Sequence, residues 1–429
     1  MKTIMLTASL IASASVFAEV ATVSNVEITQ DARTRRVKVE YSLSAPAVVT
    51  LDIHTNNGEN AYASIGAKHV VTVWGDANRR VSPATEGKNV IYWQPDKDWN
   101  GFKFTEDDKV KAVVTAYADD ATPDYMAVSL TTKSSVFYYV SAEAVPGGVT
   151  DNRYKTDWLL MRKIPAQGVT WRMGRAHADG SNNRDVPHIV QLSSDYYIGV
   201  YPVTYRQQMN IGYTPDNKGD NIGDMKPATA SWHGLRGWDT DYTQWPVNES
   251  HAVYPSGIIA KFRNLTGIDF DLPTEAQWEF AARAGEGSLL YNGDSLTAEN
   301  IARYAWINCE SFQNVGQLEA NKFGLYDCLG NVEELCMDWY QDSYLHSTCI
   351  PQITDASKTV VDPLGPSEKR SGDWTKPYVS MRVIRGGSYT STDLSSIVLS
   401  WRNQYSAKSG EAIPQHVGYR LMAPMGGKW

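Results

Sequence analysis

No apolar run in this chain approaches the ~20 consecutive residues a membrane-spanning helix needs, so no transmembrane segment is expected. Clusters of Lys and Arg long enough to follow a phosphate backbone are missing as well, and 40 basic residues are outnumbered by 48 acidic ones. Nucleic acid is therefore not an expected partner. Cysteine is scarce, with Cys309, Cys328, Cys336 and Cys349 the only four in 429 residues. Their spacing matches no common zinc pattern. Three pairings are open to them, and one disulfide or none is expected because a chain of this size needs no staples. A G-x-S-x-G elbow, a P-loop, an H-E-x-x-H pair and a dinucleotide fingerprint are all absent. The eight histidines are scattered, with no i, i+4 pair on a helix, and a lone histidine is more often structural than a ligand.

What is present begins with an export signature. Lys2 precedes the apolar run Ile4 to Ala12, and small residues end at Val16-Phe17-Ala18. This predicts a signal peptide over residues 1–18, cleaved after Ala18, and a secreted, periplasmic or cell-envelope location. Aromatic residues make up 11% of the chain, enough for well-packed cores and for an aromatic-lined surface.

Residues 19–145 read as all-β. Val37 to Leu43 and Ala47 to Ile53 alternate at period two, and Val90 to Trp93, Lys111 to Tyr117 and Ser135 to Val140 continue the series between turn clusters. An antiparallel β-sandwich of the immunoglobulin or fibronectin-III kind is expected. Pro146-Gly147-Gly148 predicts a linker over 146–156. Beyond it lies a Gly-, Trp- and Tyr-rich domain over 157–429, with two convincing helices. Ile258 to Leu265 is stopped by Gly267. The second runs from Thr274 to Ala284, with Pro273 at its start and Gly285 at its end.

Six segments of this domain resemble the formylglycine-generating enzyme, or sulfatase-modifying factor, family across nearly all of residues 157–424. Met161 to Gly174 contains Ile164-Pro165-Ala166-Gln167-Gly168 and Met173-Gly174, and is similar to the first strand of that family. Tyr201-Pro202-Val203-Thr204 follows it. Leu272-Pro273-Thr274-Glu275-Ala276-Gln277-Trp278-Glu279-Phe280-Ala281-Ala282-Arg283 resembles the family helix. Phe323-Gly324-Leu325-Tyr326-Asp327-Cys328-Leu329-Gly330-Asn331-Val332-Glu333-Glu334-Leu335 resembles its glycine–asparagine turn. Arg385-Gly386-Gly387-Ser388 and Gly418-Tyr419-Arg420 complete the order. The resemblance implies an α+β chain overall, with the β-sandwich followed by a relative of the C-type-lectin fold that holds little regular structure.

The family's enzyme holds copper between two thiolates spaced C-x4-C, located between the motifs at Arg385 and Gly418. Here the interval Tyr389–Val417 contains no cysteine. Counting forward from Arg385 places Ser396 and Trp401 at the two positions; counting back from Gly418 places Ile397 and Arg402 there. None is a soft ligand for Cu(I), so copper is not expected. Cys328 and Cys336 are expected to pack rather than to serve as a relocated redox pair. The resemblance also implies a structural calcium ion at Gly330, Asn331, Val332 and Glu334, which offer the carbonyl and carboxylate oxygens such an ion takes. Glu333 beside them is expected to add cation affinity or to face water.

The function implied is a ligand- or protein-binding module. Tyr389, Asp393, Trp401, Arg402, Asn403 and Tyr405 would form its recognition surface, because aromatic anchors among adaptable polar groups suit that role. Its partner would be an exported protein or a small-molecule or glycan ligand. The alternative is an oxidoreductase that modifies an exported protein or a small thiol through an altered metal site.

Overall fold

The computed structural model describes residues 21–56, 62–99, 110–131, 135–175, 185–237, 245–246, 251–343, 349–367, 381–406 and 415–427. The predicted signal peptide lies outside these residues.

Two four-stranded sheets make the N-terminal sandwich. One has the order β1 (Val23–Gln30), β2 (Val37–Leu43), β7 (Asn89–Trp93), β5 (Val73–Gly75). In the other, β3 (Ala47–Asn56) pairs with β4 (Tyr62–Ser64), β6 (Arg79–Val81) and β8 (Val110–Tyr117). The period-two pattern is realised directly: Val37, Val39, Tyr41 and Leu43 of β2 point inward, as do Ile91 and Trp93 of β7. Asp98 ties the core to a loop by accepting from Trp93 Nε1 at 3.0 Å and from the backbone of Val71 and Thr72. It sits on the short helix α1 (Pro95–Asp98).

The sandwich is shorter than expected. β9 (Tyr125–Ser129) and β10 (Val136–Tyr139) do not join it. They form the edge of a five-stranded sheet, β10-β9-β11-β14-β22, with β11 (Trp158–Ile164), β14 (Tyr196–Gly199) and β22 (Met422–Pro424). Alternation identifies a strand but not the sheet that receives it. All five residues of β9 are buried, the mark of a strand covered on both faces.

The predicted linker over 146–156 is corrected with it. Gly147 has φ +78°, and a Cβ there would lie 2.1 Å from Asp151 Oδ2. Tyr154 donates from its hydroxyl to the Pro146 carbonyl at 3.0 Å, and Tyr201 does so to that of Val149 at 2.8 Å. The segment is a pinned turn between β10 and β11 rather than a free connection.

The remaining sheets are small. β12 (Thr170–Met173), β13 (His188–Gln191) and β17 (Thr359–Val361) form one; β16 (Cys349–Ile350) pairs with β18 (Gly365–Pro366). The sheet that matters most for the site has the order β20-β19-β15-β21, with β15 (Glu333–Trp339), β19 (Met381–Arg385), β20 (Arg402–Ser406) and β21 (Val417–Gly418). It brings three of the sequence motifs side by side.

Short helices fill the gaps: α2 (Tyr205–Asn210), α3 (Trp232–Arg236), α4 (Ile258–Thr266), α5 (Glu275–Arg283) and α6 (Ala298–Tyr304). Both expected helices are present. α4 ends at Gly267 in the left-handed conformation, φ +73°. α5 opens on a capping box, in which the Thr274 side chain accepts from Gln277 N and the Gln277 side chain accepts from Thr274 N. The helix is shorter than read from sequence, because Thr274 is its cap and Ala284 already turns left-handed at φ 48°.

These pairings join β9 and β10 to the sheet of the following domain and not to the sandwich. A fragment beginning at residue 119 is expected to melt cooperatively. One beginning at residue 150 lacks β9 and β10, bares the edge of β11, and is expected to aggregate or melt without a transition. Circular dichroism of the two fragments checks this; equal cooperative melts would show β9 and β10 to be dispensable.

Candidate functional site

α5 presents Glu275, Glu279 and Arg283 at i, i+4 spacing, and all three are buried. Charges withdrawn from water require partners, and each has them. Arg402 grips Glu275 with both arms of its guanidinium, Nε to Oε1 at 2.5 Å and Nη2 to Oε2 at 2.7 Å. Arg385 reaches Glu275 Oε1 at 3.2 Å, and it also donates to Glu279 Oε2. Glu279 Oε1 accepts from Arg283 Nε and from Gly174 N, each at 2.8 Å. Burial pushes the Glu279 carboxyl up, but Arg283 and Arg385 outweigh it and hold the group below its ordinary range. One turn along the helix, Trp278 donates from Nε1 to Glu334 Oε2 at 2.7 Å.

Of the four positions counted for a thiol pair, Arg402 falls on this assembly. Arg402 is 2% exposed, and its charge is committed to Glu275. Ile397 is buried in the apolar core. Ser396 donates from Oγ to the Asp393 carbonyl at 2.7 Å, and Trp401 is half-buried. All four cysteines are free thiols. Burial pushes Cys328 up to about 12, Cys336 well above its ordinary value, and Cys309 upward, which disfavours the thiolate that would bind copper. These residues do not fit a copper centre.

The expected calcium set is not assembled around Glu334. That carboxylate is 1% exposed, and Arg420 saturates it, with Nη2 to Oε1 at 2.7 Å and Nε to Oε2 at 3.0 Å. With Trp278 on Oε2 as well, the group fits a guanidinium and not a metal ion. Asn331 turns elsewhere, accepting on Oδ1 from Gln313 N at 3.1 Å. The Gly330 carbonyl accepts from Val332 N, and the Asn331 carbonyl from Tyr389 N.

The expected recognition surface is likewise redrawn. Tyr389 is buried edge-on against Phe312, ring centroids 5.0 Å apart, while Tyr405 and Arg402 are also interior. β20 alternates, so consecutive residues cannot share one exposed face. Asp393 is exposed but caps the turn Leu394–Ser396 by accepting from Ser395 N at 2.9 Å. Of the six residues, Asp393, Trp401 and Asn403 retain access to solvent.

Asn403 leads to a feature that sequence reasoning missed. Its Nδ2 donates to Glu333 Oε1 at 2.8 Å, and the partly exposed His416 places Nε2 3.6 Å from Glu333 Oε2. Glu333 does not face water; only 7% of its side chain is accessible. Burial raises its pKa to about 7, and the Asn403 hydrogen bond only partly offsets this. Burial also lowers the pKa of His416. Glu333 is the first residue of β15, which is buried along its whole length. Elsewhere, a cleft of about 330 Å³ lies between Trp245, His251, Gln277 and Leu364, and it contains none of the predicted site residues.

The chain matches the sulfatase-modifying factor enzyme 1-like domain over residues 162–424. It belongs to that family. Among characterised relatives, the formylglycine-generating enzyme of Streptomyces coelicolor is 32% identical over 35% of this chain and 45% of its own length. A protein named chaperone protein LppX, from Paenibacillus barcinonensis, is 30% identical over 34% of this chain and 63% of its own. This member therefore spans about half to two-thirds of the length of those relatives. Two solved structures are also similar. Treponema denticola variable protein 1 has a TM-score of 0.42 and 22% identity, over 62% of this chain and 95% of its own. PvdO from Pseudomonas aeruginosa has a TM-score of 0.42 and 19% identity, over 62% and 94%.

Two outcomes follow from the charges. Glu334→Gln leaves Arg420 without its anion and is expected to cost about 3–5 kcal/mol. The loss in melting temperature should be the same with calcium as with a chelator; a difference between the two would restore Glu334 as a cation ligand. Glu333 behaves oppositely. Its folded pKa lies above its unfolded value, so the native state binds the extra proton between the two, and stability falls as pH rises through that window. Glu333→Gln should therefore gain stability relative to wild type on going from pH 5 to pH 8, read from paired thermal melts.

Proposed function

We propose that this family member is an exported ligand- or protein-binding module and not a thiol–copper formylglycine oxidase. The observation that carries the reading is Arg402. Where one count from the flanking motifs requires a thiol, the chain has a buried guanidinium locked on Glu275, and no cysteine occurs from Tyr389 to Val417. Soft Cu(I) has no ligand pair there.

The solvent-accessible part of the same segment supports recognition. Thr390, Thr392 and Asp393 are exposed, and Trp401, Asn403 and His416 are half-buried, carried on a rigid sheet and its flanking turns. Polar groups around one large aromatic residue suit an exported protein, a small molecule or a glycan. The relative named as a chaperone supports the protein-binding version. Export rests on Lys2, the apolar run Ile4 to Ala12 and the small residues ending at Ala18. Among the described residues no helix is long and apolar enough to cross a membrane.

The deciding experiment incubates the exported protein with a sulfatase-type cysteine peptide, with and without added copper, and follows the peptide by mass spectrometry. No aldehyde product is expected in either case. Aldehyde formed at enzyme-like rates would overturn the reading. The same preparation tests export, since its N-terminus is expected near Glu19; a retained Met1 would refute cleavage.

A further inference from the structure

Among the described residues, the buried carboxylate of Glu333 meets no Lys or Arg. Its Oε1 is used by Asn403, while Oε2 has no donor closer than the His416 ring at 3.6 Å among the described residues. Every arginine on the strands around it is engaged elsewhere. Arg402 is on Glu275, Arg385 on Glu275 and Glu279, and Arg420 on Glu334. Arg382 donates to the Met337 carbonyl and is stacked between Trp232 and Trp339. Glu275, Glu279 and Glu334 are thus each paired with a guanidinium. The buried Asp338 on the same strand accepts from Glu275 N at 2.6 Å, whereas among the described residues Glu333 Oε2 has no such partner.

Among the described residues, the groups that meet Glu333 border solvent: the His416 side chain is 38% accessible and Asn403 is half-buried. We propose that Glu333, Asn403 and His416 form a binding site for a primary ammonium group, such as a lysine side chain or an alkylamine. This rests on the reading of Tyr389–Val417 as a binding face, and it names what that face takes.

The acceptor pattern selects the class. An anion would be repelled by the carboxylate. A guanidinium makes its strongest contact through two parallel donors to both carboxylate oxygens, and Oε1 is already occupied. An ammonium carries three rotatable donors. It can give one to Oε2 and another to the neutral imidazole of His416, whose protonation burial disfavours. Low dielectric strengthens the ion contact once formed.

Binding is then linked to a proton. The free Glu333 carboxyl titrates near 7, and an adjacent ammonium favours its ionised form. Below that pH the ligand must expel a proton from Glu333, so affinity should rise between pH 6 and pH 8. It should then stay flat until the amine itself loses its charge near ~10.4. Among the described residues, His416 is the other titrating group facing Glu333; Asn403 on β20 is neutral, and the arginines named above remain charged throughout.

The test uses the full exported chain and Nα-acetyl-lysine methylamide as probe, with its Nζ-acetylated form as control, by titration calorimetry. Saturable binding of the lysine probe is expected, weakened at least tenfold by Nζ acetylation and by Glu333→Gln, with proton release at pH 6.5 seen as a buffer-dependent enthalpy. The His416→Ala variant, altered at the accessible rim, should weaken binding too and serves as the second variant should Glu333→Gln fail to fold. No binding, equal binding of both probes, or an affinity unchanged in the folded variants would overturn the proposal. That result would leave the absence of aldehyde product standing, whereas aldehyde formation would overturn the binding-module reading whatever the probes show.

Discussion

The assembly of Glu275, Glu279, Arg283, Arg385 and Arg402 sits where the domain's separate segments meet, and each of its charges is buried. α5 supplies the acids, β19 and β20 supply two of the guanidiniums, and Gly174 after β12 both donates to Glu279 and accepts from Arg283 at 3.0 Å. A second pair, Glu334 with Arg420, is joined to it through Trp278. Buried ion pairs of this kind add little net stability over apolar packing, but removing one partner strands the other at a cost of about 3–5 kcal/mol. They therefore act chiefly as specificity: only one arrangement of these short strands satisfies all the charges. Gly386 belongs to the same constraint, since at φ +94° a Cβ would stand 2.7 Å from the Cys328 carbonyl and 3.3 Å from the Trp278 ring.

This gives the family motifs a structural meaning. The segments around Gly174, Glu275 to Arg283, Glu334, Arg385 and Arg420 are those through which the chain resembles its relatives, and each contributes atoms to the connected polar core. They hold the fold together. A chain can therefore keep all of them and belong to the family while the interval Tyr389–Val417, where the two counts from the flanking motifs fall on Ser396 and Trp401 or on Ile397 and Arg402, contains no cysteine.

The same distinction explains what could be read in advance. α4 and α5 were legible because capping residues, apolar faces and terminal glycines are local signals, and β2, β3 and β7 because alternation is local too. The assignment of β9 and β10 was not, since which sheet receives a strand depends on partners such as Trp158 to Arg162, some thirty residues further on. The site suffered from the same blindness. Tyr389, Arg402 and Tyr405 look like recognition residues by composition, yet their burial is decided by α5 and by Phe312, far away in the chain. Glu334 looked like a metal ligand because the compensating charge, Arg420, lies 86 residues downstream.

Glu333 and Glu334 are adjacent in a strand that is buried along its whole length, and the pleat sends them to opposite sides. On one side the carboxylate meets Arg420 and Trp278, and its charge is settled within the fold. On the other it meets an amide and a half-exposed imidazole, and its charge is not. A fold that pairs Glu275, Glu279 and Glu334 with guanidiniums leaves Glu333 without one among the described residues, at a place where the sheet reaches solvent. Leaving it there works against the native state above neutral pH, so the carboxylate is poorly explained by stability alone. A cationic ligand accounts for both its burial and its missing partner, because the counter-ion comes from outside.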